Sequence, residues 1–304
     1  MCHVYVTTSH WEFAPVRTAE KIGPSSIRSR AWLSQGRREC AGLEIIAPAM
    51  KPDMIRKKIR QKIILFMKSE LRSSKRNGFV IGLSGGLDSS VVVKLASEAV
   101  GSKLLVLILP STKMTPVEDI DDAITLSKKL NIKYNILDLE QVHSTLVRGI
   151  PPRKLAGGNL LARLRMCMLY YYANRDNLMV VGTSNRSELL IGYFTKYGDG
   201  GADILPIASL YKAQVKSLGG YLKLPDSILT KNIGPRLWVG HTIEKEIGMT
   251  YEEIDSILYY MFDLKQSSKS TAKKLSIPLK KVMKIKNMYD NNIHKCEMPK
   301  IYKL

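Results

Sequence analysis

Acidic residues are the scarce class in this 304-residue chain: 27 Asp and Glu stand against 47 Lys and Arg, a formal net charge of +20. Such a charge attracts polyanions of every kind, so it does not by itself choose among nucleotide, nucleic acid and anionic membrane. Runs such as Arg56–Arg60 and Lys280–Lys286 read first as solvated helix faces. Cysteine is sparse too. Cys2, Cys40, Cys167 and Cys296 form no CxxC pair and have no histidines at zinc-ligand spacing, so neither a disulfide framework nor a structural zinc is signalled. Cys167, within the apolar stretch Met166–Leu169, is expected in the core. No segment approaches the roughly 18 apolar residues of a membrane span, and the first fifty residues lack the apolar core of a signal peptide. A soluble, cytoplasmic protein without a membrane partner is expected. With 45% apolar residues, the chain can build a core of useful size.

Residues 1–49 show no sustained period of 2 or 3.6 and scatter Trp, Pro, Gly and Arg without pattern. They are expected to be a disordered extension or an upstream mis-start, with the domain proper spanning 50–304. From Met50 the pattern changes: apolar residues at 55, 59, 63, 67 and 71 predict one stripe on a basic helix. Strand and helix patterns then alternate. Phe79–Leu83, Leu104–Leu109, Lys133–Leu137 and Met179–Val181 read as strands. Ser89–Val100, Val117–Leu130, Asn159–Asn174 and Tyr211–Leu222 read as helices. Such alternation implies parallel pairing through right-handed crossovers, hence an α/β fold with a doubly wound parallel sheet. After Pro225 the pattern is all-helical, with Thr250–Met261, Lys269–Leu275 and Pro278–Asn291 making a helical C-terminal part over 250–304.

The run Gly82-Leu83-Ser84-Gly85-Gly86-Leu87-Asp88-Ser89-Ser90 lies between the first strand and its helix. Glycines bring backbone N–H groups close to an anion, and a helix N-terminus adds a favourable dipole. Ser84, Ser89 and Ser90 can donate hydroxyl hydrogen bonds to phosphate. Asp88 would repel a bare phosphate, so beside one its role is to hold Mg²⁺. No Lys follows the second glycine at GxxxxGK[ST] spacing, so this is not the kinase and GTPase loop.

SGGLDS resembles the pyrophosphate loop of the N-type ATP pyrophosphatases, which activate a carboxylate or carbonyl oxygen with AMP. Three further runs narrow the likeness: Gly158–Met166 with Arg163 and Arg165, Gly182–Glu188, and Phe194–Pro206 containing TKYGDGG. Together they resemble the NAD synthetases, from about residue 55 to the C-terminus. That resemblance implies an adenine nucleotide alpha hydrolase-like, Rossmann-type fold and a carbon–nitrogen ligase using ATP and Mg²⁺. ATP would be held by Gly82, Leu83, Ser84, Gly85, Gly86, Leu87, Asp88, Ser89, Thr183 and Lys212, and the metal by Asp88 and Glu188. Arg163, Lys196, Asp203, His294 and Lys295 match deamido-NAD contacts. Lys212 and Asp199 are the catalytic candidates, the first for the ATP phosphates and the second to orient ammonia or accept its proton. Taken singly, Arg163 and Arg165 also fit a surface ion-pair face, KYGDGG a turn, and Glu188 a solvated acid.

The resemblance has gaps. In the expected mobile loop over 231–248, Gly234 takes a hydroxyl position, Arg236 stands where a small residue is usual, His241 replaces an amide and Ile243 an acid. Cys296 stands where a basic residue is usual. Arg236 fits either a substitute phosphate ligand or a solvated arginine. The segment before residue 50 is too short for an amidase domain of ordinary size, so free ammonia or a separate amidotransferase is the implied nitrogen source. A homodimer is implied as well, with no specific nucleic acid as partner. Two alternatives stay open: a pyrophosphatase-type enzyme acting on tRNA, and an impaired homologue that only binds nucleotides.

Overall fold

The computed structural model describes residues 52–231 and 243–302; the extension at 1–49 and the positions Gly234, Arg236 and His241 lie outside these. Helix α1 (Pro52–Ser74) buries Ile55, Ile59, Ile63 and Met67, with Leu71 half-buried against the same core, so the stripe read from the sequence is its packing face. Four short strands follow: β1 (Gly78–Gly82), β2 (Leu104–Ile108), β3 (Lys133–Ile136) and β4 (Leu178–Val181). All pair in parallel, in the order β3-β2-β1-β4. The sheet grows outward from β1 in both directions, and ligands of such sheets bind where that order reverses.

Side-chain alternation along the strands builds the two faces. Phe79 and Ile81 meet α1, α2 (Leu87–Val100) and α7 (Lys212–Tyr221) on one side, where Val91, Leu95 and Val215 are fully buried. Val80, Leu105 and Leu107 point the other way, against α5 (Lys154–Asp176) and the start of α4 (Glu140–Leu146). Helix α3 (Val117–Lys129) covers β2 and β3, with Glu118 and Asp119 in its first turn and Lys128 and Lys129 in its last, in keeping with its dipole. A separate cluster joins α6 (Arg186–Ile191) to α9 (Ile243–Ile247), α10 (Tyr251–Leu258), α11 (Ser268–Leu275) and α12 (Leu279–Asn292). Among the described residues no helix is long and apolar enough to cross a membrane.

Several expectations need correction. Helix α5 begins five residues before the expected Asn159, at Lys154. Gly157 and Gly158 lie inside its first turns, and the Gly157 carbonyl oxygen lies 3.1 Å from His143 Nε2. Cys167 is exposed, because α5 is apolar round most of its circumference and only part of it faces the sheet. The helix expected over Thr250–Met261 stops at Leu258 and continues as a π-turn, Tyr259–Asp263. Four short helices are not among those expected: α4, α6, α8 (Asp226–Leu229) and α9, the last within the segment expected as a mobile loop over 231–248. Ile243, the replacement for an acid, is fully buried in the C-terminal cluster and serves packing.

Helix α4 is tied to the end of β2 by Glu140, which accepts hydrogen bonds from Ser111 Oγ (2.6 Å) and Ser144 Oγ (2.6 Å) and pairs with Lys113 Nζ at 3.1 Å. The Ser111 bond first, with Ser144 and Lys113 adding, draws this carboxyl from the ordinary 4.5 down to about 2. The folded pKa is the lower one, so the stabilisation is complete above about 4.5 and is lost as pH falls to about 2. Glu140→Gln is expected to flatten the acid side of a melting-temperature profile within that window. A wild-type slope there would contradict this reading of Glu140.

Candidate active site

The phosphate loop connects β1 to α2 at the carboxyl edge of the sheet. Leu83 N–H donates to Leu107 O at 2.9 Å, fixing the loop's start against β2. Gly85 has φ +73°, and a Cβ there would lie 2.0 Å from the Asp119 carbonyl oxygen, so the loop rests on the first turn of α3. Ser84 Oγ and Ser89 Oγ lie 3.0 Å apart, and Ser84 N–H donates to Ser89 Oγ at 3.2 Å, closing the loop on itself. Ser90 is fully buried and donates to Gly86 O at 2.7 Å, so its hydroxyl shapes the turn from inside rather than facing a ligand. A helix start leaves its first amides without intrahelical acceptors, and those of α2 open at this turn. Lys231, the last described residue before the segment 232–242, pairs with Asp119 Oδ1 and Asp122 Oδ2, both at 2.5 Å, and reaches Gly85 O at 3.3 Å.

Across the switch point, β4 leads into α6. Asn185 caps α6: its Oδ1 accepts from Glu188 N–H at 3.0 Å while Glu188 Oε2 accepts from Asn185 N–H at 3.2 Å. Asn185 Nδ2 also donates to Asp88 Oδ1 at 3.1 Å, joining this turn to the phosphate loop. Lys212, 3% exposed at the start of α7, ion-pairs with Asp88 and lies 3.6 Å from Glu188 Oε1. Burial works against its ammonium, but Asp88 and Glu188 outweigh burial and hold it above the ordinary lysine range. Burial, and next the Asp88 charge, push the Glu188 carboxyl up to about 8. The two carboxylates converge on one cation, here the Lys212 ammonium. An all-oxygen pair of this kind fits a hard divalent ion such as Mg²⁺ completed by phosphate oxygens. Among the described residues no group of three or more His, Cys, Asp or Glu could hold a metal unaided.

These groups line a cleft of about 820 Å³ that also takes in Thr183, Arg163, Lys196, Asp199, His294 and Lys295. Its far wall is basic. Arg163 donates to Lys196 O at 3.3 Å, Lys196 Nζ to His294 O at 2.6 Å, and Lys295 Nζ to Gly192 O at 2.7 Å. Main-chain carbonyls thus gather four residues from three distant stretches of chain. Asp199 opens to the cleft yet is surrounded by protein; its Oδ1 accepts from Thr195 N–H at 2.8 Å. Desolvation raises its pKa, with the Thr195 bonds and the Arg165 charge opposing. Arg165 itself is brought down to about 10 by burial and donates from Nε to Leu109 O at 3.0 Å. Asp203 stands apart. Its oxygens accept from Tyr170 Oη–H (3.0 Å) and Val180 N–H (2.8 Å), and it is not among the residues lining the cleft.

The sequence reading missed Asn185, although Asn-x-x-Glu is a legible capping signal. It also missed Tyr251, whose ring lies 5.1 Å from Lys212 Nζ, and here no spacing could have pointed to it.

A phosphate loop, a buried lysine and two facing carboxylates at the switch point of a parallel sheet define an enzyme of the adenine nucleotide alpha hydrolase-like fold. The NAD synthase family model matches residues 59–299, and the chain belongs to that family. It is 43% identical over 244 residues to an NH(3)-dependent NAD(+) synthetase of Hyperthermus butylicus, covering 79% of this chain and 88% of that protein. It is 45% identical over 248 residues to the NH(3)-dependent NAD(+) synthetase of Staphylothermus marinus, covering 80% and 90%. Among solved structures, the NMN synthetase from Francisella tularensis superposes with a TM-score of 0.73 at 35% identity, covering 84% of this chain and all of that one.

Proposed function

We propose that this chain is an ammonia-dependent NAD synthetase, a ligase that forms the nicotinamide carbon–nitrogen bond of NAD from deamido-NAD, ATP and ammonia. The observation that carries this is buried Lys212, set against Asp88 and Glu188 beside the phosphate loop in a chain of the NAD synthase family. The basic wall of Arg163, Lys196, His294 and Lys295 suits a dinucleotide that bears two phosphates and a carboxylate. Asp203, turned toward Tyr170, is a contact only for a substrate that approaches from outside the cleft. Ammonia as donor accords with the likeness to the two NH(3)-dependent relatives.

In the first step a nicotinate carboxylate oxygen attacks the α-phosphorus and the bond to pyrophosphate breaks. Lys212 and the first amides of α2 stabilise the charge on the departing group. A Mg²⁺ held by Asp88 and Glu188 would, when bound, neutralise phosphate charge. Ammonia then attacks the acyl carbon, AMP leaves, and Asp199, open to the cleft and held there by Thr195 N–H, accepts the surplus proton. Thr183 lies at the rim as a nucleotide contact. The same reading carries with it a homodimer working in the cytoplasm, as family membership implies.

The test is to assay NAD, AMP and pyrophosphate from purified protein given ATP, Mg²⁺, deamido-NAD and ammonium, with glutamine in parallel. Absence of NAD from folded, ATP-binding protein defeats the proposal. A second reading, in which the acceptor is nicotinate mononucleotide, is favoured by the likeness to an NMN synthetase; a higher kcat/KM for the mononucleotide would select it. Asp199→Asn is expected to slow amidation by about 10²-fold while leaving the pyrophosphate burst nearly intact. Equal loss of both steps would remove Asp199 from the second.

A further inference from the structure

The charged pair at the heart of the cleft comes from two segments distant in sequence: Arg186-Ser187-Glu188, which opens α6, and Tyr211-Lys212-Ala213, which opens α7. Both rest on α10 and its π-turn through two buried acids. Asp255, 7% exposed, accepts from Ser187 Oγ–H with Oδ1 (2.5 Å) and from Ala213 N–H with Oδ2 (2.9 Å). Asp263, with a 6% exposed side chain, accepts from Arg186 Nη2–H with Oδ1 (2.5 Å) and from Tyr211 Oη–H with Oδ2 (2.5 Å). Each carboxylate therefore spends one oxygen on the Glu188 segment and one on the Lys212 segment. Ser187 Oγ closes the arrangement by accepting Lys212 N–H at 3.0 Å.

The π-turn makes this pairing geometrically possible. Positions eight apart in a continuous α-helix differ by about 80° round the axis. The wider turn at Tyr259–Asp263, marked by the bond from Leu264 N–H to Tyr259 O at 3.0 Å, takes up the surplus and returns Asp263 toward the face of Asp255. Buried carboxylates are a costly way to hold helices together, since apolar side chains would pack as well or better. What they supply is a fixed separation between two backbones.

We propose that Asp255 and Asp263 are positioning residues of the reaction, a two-carboxylate clamp that sets Lys212 against Glu188 and Asp88. Neither touches the reacting atoms. The inference rests on the proposed function, because it assigns the clamp to the step in which Lys212 acts. A displacement of about 1 Å at such a centre costs roughly 10²-fold in rate.

The experiment compares wild type with Asp255→Asn, Asp263→Asn, Tyr211→Phe and Ser187→Ala, measuring pyrophosphate release with kcat and KM resolved. Circular dichroism and melting curves set an assay temperature well below every midpoint. Each Asp→Asn variant keeps one acceptor oxygen of two and is expected to lose about 10- to 100-fold in kcat, with KM for deamido-NAD within about threefold. A merely structural role would lower the melting midpoint and leave kcat of the folded fraction unchanged. Tyr211→Phe and Ser187→Ala each remove one anchoring hydroxyl and keep the charges; they are expected to lower kcat several-fold, and they decide the matter if an Asp→Asn variant does not fold. Wild-type kcat in folded Asp→Asn variants, or in both hydroxyl variants, overturns the clamp alone. A wild-type protein that releases no pyrophosphate overturns the proposed function and the clamp with it.

Discussion

Lys212→Met is expected to lower NAD formation by about 10²- to 10³-fold, the usual effect of removing one charge-stabilising donor from a reacting centre. Methionine has nearly the length of lysine and fills the same buried space, so the change removes charge rather than volume. Without the ammonium, Asp88 and Glu188 face one another directly. Glu188, pushed up to about 8 by burial and by the Asp88 charge even with the ammonium opposing them, rises further once it is gone and holds a proton that relieves the repulsion. The variant is therefore expected to fold. Steady-state assays should show the loss in kcat, with weaker ATP binding by calorimetry. Retention of more than a tenth of wild-type kcat would take Lys212 out of the adenylation step.

Gly85→Ala is expected to damage the phosphate loop by a route independent of charge. Two costs add. A left-handed backbone costs an L-residue about 1–2 kcal/mol, and the new Cβ would stand 2.0 Å from Asp119 O and 2.8 Å from Asp119 C. Those are main-chain atoms in the first turn of α3, where Lys231 also grips the Asp119 side chain, so the loop must yield rather than the helix. ATP affinity should fall at least tenfold, or about 1.4 kcal/mol, and the melting temperature should drop. Gly101→Ala is the control: φ there is +56°, but nothing lies within 4 Å of the added carbon, so only the backbone strain remains. Calorimetry with ATP and melting curves on both variants separate damage to the loop from strain elsewhere, since Gly101 closes the far end of α2. Equal affinities in the two would mean that the close approach to Asp119 is unimportant.

Much of the site was legible because local rules determine it. A glycine-rich turn between a buried strand and a helix carries its own geometry, and the alternation of apolar runs with amphipathic stretches is enough to call for parallel crossovers. The stripe on α1 at 55, 59, 63 and 67 was read at the right phase because one helix face alone decides it. Cys167 was misplaced for the complementary reason. Helix α5 is apolar on most sides, so its sequence contains no mark of which side meets the sheet. The exposed side became visible only once β1 and β4 were seen to cover the other.

The sequence by itself determined the chemistry on offer: a phosphate loop with its own acid, a second acid and a lysine further on, and a doubly wound sheet to bring strand ends together. It also determined the family to which such a set of motifs belongs. Tertiary structure alone decided how these parts meet. Lys212 faces Asp88 across 124 positions of chain, and Asp255 bridges Ser187 and Ala213 from a helix whose pattern reports only its apolar face. Local spacing encodes a side chain's direction within one helix or strand. Contacts between elements depend on how whole faces pack, and the polar atoms that complete such a contact leave no period in the sequence.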